Sequence, residues 1–377
     1  MQSPSNHLRA LVKRIVTFGL LSVVFFTASV TAGLAGGTAA HASTQTYTIT
    51  DLGTLGYTTT VGYGVNANGQ IVGRSYLQQT VPGQGCPPRH PCKVHIYHAF
   101  LYSAGKMTDL GTLGGTFSEA RAINSAGDVV GWSTLSGTSL SAPTDAFLYH
   151  NGHMTDLGTL GGRSSRAYGI NDFGEVVGDS YTASNADDAF LYSGGKMTDL
   201  GALGSLGSSA SGINNSHQVV GASEVSNGSG IHAFLWSNGK MTDLGTLGGT
   251  QSIAYAINNI GQVVGYASPP NSSVHAFLYS GGKMTDLGVI FDSSVAEAIN
   301  NSAVVVGSAY VLNNNGTTDF HAFIYSGGKL QDLNQLIPSG SGWVLTEATG
   351  INDKGQIVCN AYNTTNYTHH AFLLNPN

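Results

Sequence analysis

Between Ser252 and Leu287 the apolar residues fall in four short runs, SIAYAI, QVVGYAS, HAFLYS and KMTDL. Each run has the length of a β-strand and is too short for a helix. Asn258 and Gly261 bracket the first turn. Asn can bond its own backbone there, and Gly supplies a positive φ. Ser280-Gly281-Gly282-Lys283 reads as a tight hairpin, as does His150-Asn151-Gly152-His153 in an earlier copy. The unit therefore predicts a four-stranded antiparallel meander. In its third run Phe277 and Tyr279 alternate with Ala276 and Leu278, so both strand faces are apolar. A strand sandwiched between neighbouring sheets has this character.

The unit repeats. DLG or a variant of it begins at Asp51, Asp109, Asp156, Asp199, Asp243, Asp286 and Asp332. The first interval is 58 residues and the others are 43 to 47. Between these motifs the blocks A-x-[AG]-[IV]-N, [GQ]-[IV]-V-G and [HD]-A-F-L-Y recur in fixed order. Four strands in a unit of this size match a propeller blade. TYTITDLG near the start fits the fourth strand of a unit, and HAFLLNPN at the end fits the third. Pairing the two closes a ring and removes exposed edges. The expected fold is all-β, a seven-bladed β-propeller of four-stranded antiparallel blades. The N-terminal strand completes the last blade. The propeller spans 43–377 and carries an inserted loop at 76–97. Phe277 falls opposite Asp286 with His275 diagonal to it, which predicts a His–Asp bond within each blade. Asp145 and Asp188 replace that histidine, setting two carboxylates face to face. His217 and Ala303 replace the turn glycine.

The blocks HAFLYSGGKMTDLGTLGG and AINNIGQVVG resemble the extracellular bacterial repeats called the HAF family, over nearly all of 46–377. The resemblance implies a secreted bacterial protein and supplies no catalytic residues.

Composition fits a chain of tight turns, with 52 glycines and only 10% charged residues. Arg9, Lys13 and Arg14 precede an uncharged apolar stretch ending in Ala40-His41-Ala42, so 1–42 reads as a signal peptide. A retained membrane anchor is the alternative. Removing this segment, with its three basic and no acidic residues, takes the net charge from −6 to −9. That balance argues against nucleic acid, and no membrane partner is expected after cleavage. Cys86 and Cys92 enclose a proline-rich loop, where a disulfide is expected in an oxidising compartment. Zinc bound with His90 and His95 is the competing reading. Cys359 reads as a buried single thiol.

The repeated His98, His232, His275, His321 and His370 lie one per blade on diverging strands and cannot share an ion. No metal and no cofactor is expected. The GTLGG runs lack the helix and GK[ST] of a phosphate loop. Function should sit where the copies differ, on the face carrying the variable loops. Along the first strands the variable positions are Tyr63, Arg121, Tyr168, Tyr255 and Glu297. Glu119, Arg166 and Glu347 lie just before them, and Arg74, Trp132, Asp179 and Tyr266 follow the glycine block. All five arginines beyond residue 42, including Arg89 and Arg163, belong to the first three blades. Arginines offer forked donors and aromatics offer stacking faces. The expectation is a monomeric, secreted, noncatalytic recognition or scaffold propeller. It would bind a glycan, an acidic ligand or a protein segment around the channel mouth of blades one to three. Two alternatives stand beside it. One is a glycan hydrolase or lyase using mouth carboxylates. The other is a structural surface or matrix protein.

Overall fold

A computed structural model describes residues 45–82, 93–137, 142–204, 206–225, 230–312 and 318–377. The expected cleavage site and the Cys86–Cys92 pair lie outside these residues. Among the described residues the strands form seven four-stranded antiparallel sheets, each a simple meander. Blades 1 to 6 occupy 60–109, 118–156, 161–199, 208–243, 252–288 and 293–332. Blade 7 takes three strands from 343–376 and its outermost from Tyr47–Asp51. That strand runs antiparallel to His369–Pro376, with Tyr47 opposite Pro376 and Asp51 opposite Phe372. The ring is thus closed by main-chain hydrogen bonds between the two ends of the propeller. Among the described residues no helix is long and apolar enough to cross a membrane.

The core lies between blades. The HAF phenylalanine of each blade packs on the sheet before it. Phe147 of blade 2 meets Val72 and Ala99 of blade 1, and Phe190 of blade 3 meets Val130 and Ala146 of blade 2. Both phenylalanines are fully buried, worth about 2–3 kcal/mol each by area removed from water. A serine at the start of the first strand stitches the same junction. Ser118 Oγ accepts the Ala99 amide of blade 1 at 2.9 Å and donates to the Gly111 carbonyl.

At the turn after the first strand, seven buried asparagines form a closed circle. Asn66 Nδ2 donates to the Asn124 carbonyl, Asn124 to Asn171, Asn171 to Asn214, and Asn214 to Asn258. Asn258 donates to Asn300, Asn300 to Asn352, and Asn352 back to Asn66, at 3.0–3.3 Å throughout. Each side-chain oxygen also caps its own turn, as Asn214 Oδ1 accepts the amides of Ser216 and Gln218 at 3.0 Å. One residue type therefore shapes the turn and joins the blades. His217 and Ala303 adopt the left-handed conformation of the glycines they replace, with φ 58° and 59°.

The expected His–Asp bonds form in five blades, with His Nδ1 at 2.7–2.9 Å from Asp109, Asp243, Asp286, Asp332 and Asp51. The last pair, His370–Asp51, reinforces the closing strand. In blade 2 Asp145 instead faces Asp156. Burial and the Asp156 charge raise the Asp145 carboxyl to about 6. Burial and Asp199 raise Asp188 likewise.

Two outcomes follow from these junctions. Asn214→Ala leaves the Asn258 carbonyl and two turn amides without their partner, and should cost about 2–3 kcal/mol in urea unfolding; an unchanged midpoint would count against the circle. Asp145 binds its proton more tightly folded than unfolded, so stability falls as pH rises from about 4 through 6. Asp145→Asn should therefore stabilise the protein by about 1–2 kcal/mol at pH 8 and give no gain near pH 4. An equal effect at both pH values would exclude a shared proton.

Candidate functional site

Every first strand carries a β-bulge at the same place. In blade 2, Ala120 pairs with Gly131 and Ala122 with Val130, leaving Arg121 without an opposite residue. The same slip leaves out Tyr63, Tyr168, Ser211, Tyr255, Glu297 and Thr349 in the other blades. A bulge re-aims the extra side chain. Here it separates scaffold from site, because the flanking residues pack between blades and the bulged one varies. The bulge also explains the glycine of the VVG block. A Cβ on Gly131 would lie 1.9 Å from the Glu119 carbonyl oxygen, and a Cβ on Gly265 equally close to that of Ile253. Blade 7 has buried Cys359 at this position, and its first strand carries a second bulge between Leu345 and Glu347.

The bulged residues meet around the central channel. The Arg121 guanidinium lies over the Tyr63 ring, 4.3 Å from its centroid, and 5.6 Å from that of Tyr168. Burial pushes the Tyr63 hydroxyl up to about 12, with the Glu119 charge adding to the effect.

The arginines of blades 1 to 3 are already partnered. Glu119, 1% exposed, forms an ion pair with Arg121, whose Nε lies 2.7 Å from one oxygen, and accepts a hydrogen bond from Arg74 on the other. Burial alone would raise its carboxyl. Arg121 and Arg74 outweigh that and hold it below the ordinary carboxylate range. The arginines also cover aromatic faces. Arg74 sits 5.0 Å from the Tyr97 centroid, Arg166 5.2 Å from Trp132, and Arg163 4.8 Å from Tyr181. Arg166 stands opposite Asp179 across the first two strands.

The segment 76–97, expected to be a loop, is largely strand in its described parts. The blade 1 hairpin continues outward through Thr80–His95 and Pro82–Lys93 pairs. It brings Ile96 and Tyr97 onto Phe117 and Trp132 of blade 2 in a small apolar cluster. That cluster roofs the arginine side. Trp132 and Asp179, expected at an open rim, are only 8% and 5% exposed. Tyr266 is buried as well.

The open part of the mouth lies across the channel. A cavity of about 440 Å³ runs over blades 5 to 7, lined by Tyr255, Tyr266, Tyr310, Tyr362, Glu297 and Glu347. The Tyr255 ring is tilted against Tyr266 with centroids 6.0 Å apart, and Tyr310 meets Phe320 edge-on at 6.3 Å. Glu347 accepts a hydrogen bond from Asn360 Nδ2 at 3.1 Å. Burial and the Glu347 charge push the Glu297 carboxyl well above the ordinary range, against the weaker pull of Arg121. Of the residues singled out in sequence, Tyr255, Tyr266, Glu297 and Glu347 converge here. Tyr63, Arg74, Arg121, Trp132, Arg166, Tyr168 and Asp179 belong to the filled side. Tyr310 and Tyr362 were missed. Each stands three residues beyond the Gly307 or Cys359 position, where Tyr76 and Tyr181 stand in blades 1 and 3. Among the described residues no group of three or more His, Cys, Asp or Glu side chains could hold a metal ion.

A family described as a protein of unknown function (DUF3466) matches residues 250–371, from blade 5 to the third strand of blade 7. No curated protein matches the chain. Among solved structures it is similar to the β-propeller domain of the Trilobed protease from Pyrococcus furiosus, at 9% identity and TM-score 0.55. That match covers 85% of this chain and 98% of that one. The Pyrococcus propeller has an open velcro topology, whereas this ring is closed by strand pairing. TolB from Acinetobacter baumannii is similar over 82% of this chain and 63% of TolB, at 10% identity and TM-score 0.43. An oligogalacturonate lyase in complex with manganese is similar over 85% of this chain and 96% of the lyase, at 10% identity and TM-score 0.45. The likeness to the Pyrococcus domain shows the propeller fold.

The shared carboxylate makes a direct test. Glu119→Gln leaves Arg74 and Arg121 without their counter-charge and should cost about 2–4 kcal/mol at pH 7, the lower end reflecting their partial exposure. Because folding lowers the Glu119 pKa, this stabilisation is present above its unfolded value and lost as pH falls through the folded one. The gap between wild type and variant should therefore narrow only below about pH 4. A gap that is already closed at pH 6 would show that the carboxylate does not hold the cluster.

Proposed function

We propose that this chain is a secreted recognition propeller of HAF-repeat type whose ligand enters the channel mouth over blades 5 to 7. The observation that carries the reading is the contrast between the two halves of the mouth. On blades 1 to 3 Arg74 and Arg121 pair with Glu119 and the arginines lie over aromatic rings, beside the apolar Ile96, Tyr97, Phe117 and Trp132 cluster. On blades 5 to 7 tyrosines and carboxylates, Glu297 and Glu347 among them, line open space. A cavity of this size suits a small ligand or one residue of a longer one. Tyrosine faces suit sugar rings, and carboxylates accept hydrogen bonds from hydroxyl or amino groups. An acidic ligand fits this half poorly, since Glu297 and Glu347 would repel it. Export through a cleaved 1–42 segment, a Cys86–Cys92 disulfide and a monomeric state belong to the same proposal.

A second reading has one specific observation behind it. Burial and the Glu347 charge favour a proton on Glu297, and both residues line the same cavity. An acid and a carboxylate flanking one space is the arrangement glycosidic cleavage uses.

The test is a glycan array with the secreted protein and a Tyr310→Ala/Tyr362→Ala variant. Both tyrosines are only partly buried, so the fold should survive. Binding by wild type that falls at least tenfold in the variant is the expected result. Equal binding by the two would remove this cavity as the site. Release of reducing ends by wild type and not by Glu297→Gln would instead favour the hydrolase.

A further inference from the structure

Glu297 and Glu347, the two glutamates of the cavity, have no cation committed to them among the described residues. Among the described residues, Glu297 has no ion-pair partner within contact distance and no hydrogen bond to its carboxyl. Glu347 is held by the neutral Asn360 amide. The guanidinium that acts on Glu297, that of Arg121, reaches across from blade 2 and is committed to Glu119 at 2.7 Å. Lysines are confined to outer hairpins and distant turns, as at Lys240, Lys283 and Lys329. The other titratable groups that act on Glu297 or are acted on by it are acidic or phenolic. Tyr255 and Tyr266 approach from blade 5 and Glu347 from blade 7. Asp319 and His369 stand farther out in the same lining.

Two like charges in one cavity oppose each other, which favours a proton on Glu297 while the site is empty. A cation of the right shape removes that conflict. A metal ion fits the walls poorly, since hard cations seek six or more oxygen ligands and this lining is largely aromatic. Aromatic faces attract organic ammonium groups, and the attraction grows with desolvation. The space is also far larger than one ion and broad enough for a ring.

Resting on the recognition reading above, we infer that the cavity over blades 5 to 7 binds an amino sugar. Its protonated amine sits between Glu297 and Glu347, and its ring lies against the tyrosine wall. A lysine side chain offers the same charge. It is too slender to use four tyrosine faces, so the breadth of the lining favours the pyranose. Binding should release a proton, because the incoming charge removes the reason for Glu297 to keep one.

The experiment is titration calorimetry at about pH 6 with a glucosamine tetramer, the matching N-acetylglucosamine tetramer and a lysine-containing peptide. Two buffers of different ionisation enthalpy report the protons exchanged. The glucosamine tetramer should bind at least tenfold more tightly than its acetylated counterpart, with net proton release to buffer. Glu297→Gln should abolish both that preference and the proton release while keeping the wild-type melting temperature. If Glu297→Gln fails to fold, Glu347→Gln serves the same purpose. Equal binding of the two tetramers overturns the amine and leaves the recognition site standing. Tighter binding of the peptide overturns the sugar. Binding of none, together with a blank glycan array, overturns the site itself.

Discussion

Seven asparagine amides, each donating to the next blade, fix the geometry on which everything else rests. A buried amide that loses its acceptor costs more than the bond it made. Each blade must therefore stand at one distance and angle from its neighbour. Six such bonds would leave one asparagine unpaired. With seven the circle returns to Asn66 through Asn352. The closing strand performs the same service at the outer edge, where Tyr47–Asp51 completes blade 7 and His370 bonds Asp51. Inner and outer closures thus act on the same blade.

A ring held this tightly can spare one residue per blade. The bulge in each first strand takes that residue out of the ladder and turns it to the channel. It is accompanied by a glycine on the second strand, whose missing Cβ makes room for the carbonyl two residues before the bulged one. Scaffold and site are therefore adjacent in sequence and independent in mechanics. Ala120 and Ala122 pack between blades while Arg121 between them is free to differ from Tyr63 or Glu297. Chemical asymmetry then arises from substitution alone. Blades 1 and 2 carry arginines that close on Glu119, blade 3 carries arginines that lie over Trp132 and Tyr181, and blades 5 to 7 carry tyrosines and carboxylates that leave space.

Much of this was legible in the sequence. Repeat spacing gave the blades, the two half-units at the ends gave the closure, and the Phe277–Asp286 register gave the His–Asp bonds. The asparagine was read as a turn former, which it is. Its amide donation to the next blade was invisible, since a sequence shows a donor and not the acceptor that curvature brings near. The arginines were read as ligand donors for a related reason. Nothing in the order of residues shows that Arg74 and Arg121, 47 positions apart, share one buried carboxylate. The alternation in KVHIYHAF did hold the signal for the extended hairpin that roofs them. It was obscured by the proline-rich stretch before it.

The mouth is open over blades 5 to 7 and occupied by its own arginines and aromatics over blades 1 to 3. A crystal structure with a bound glucosamine oligomer tests that most directly. The account predicts ligand density between Glu297 and Glu347 against Tyr310 and Tyr362, with Arg74 and Arg121 still on Glu119. Density lodged among Arg74, Trp132 and Arg166, with those arginines turned from Glu119 toward the ligand, would contradict it.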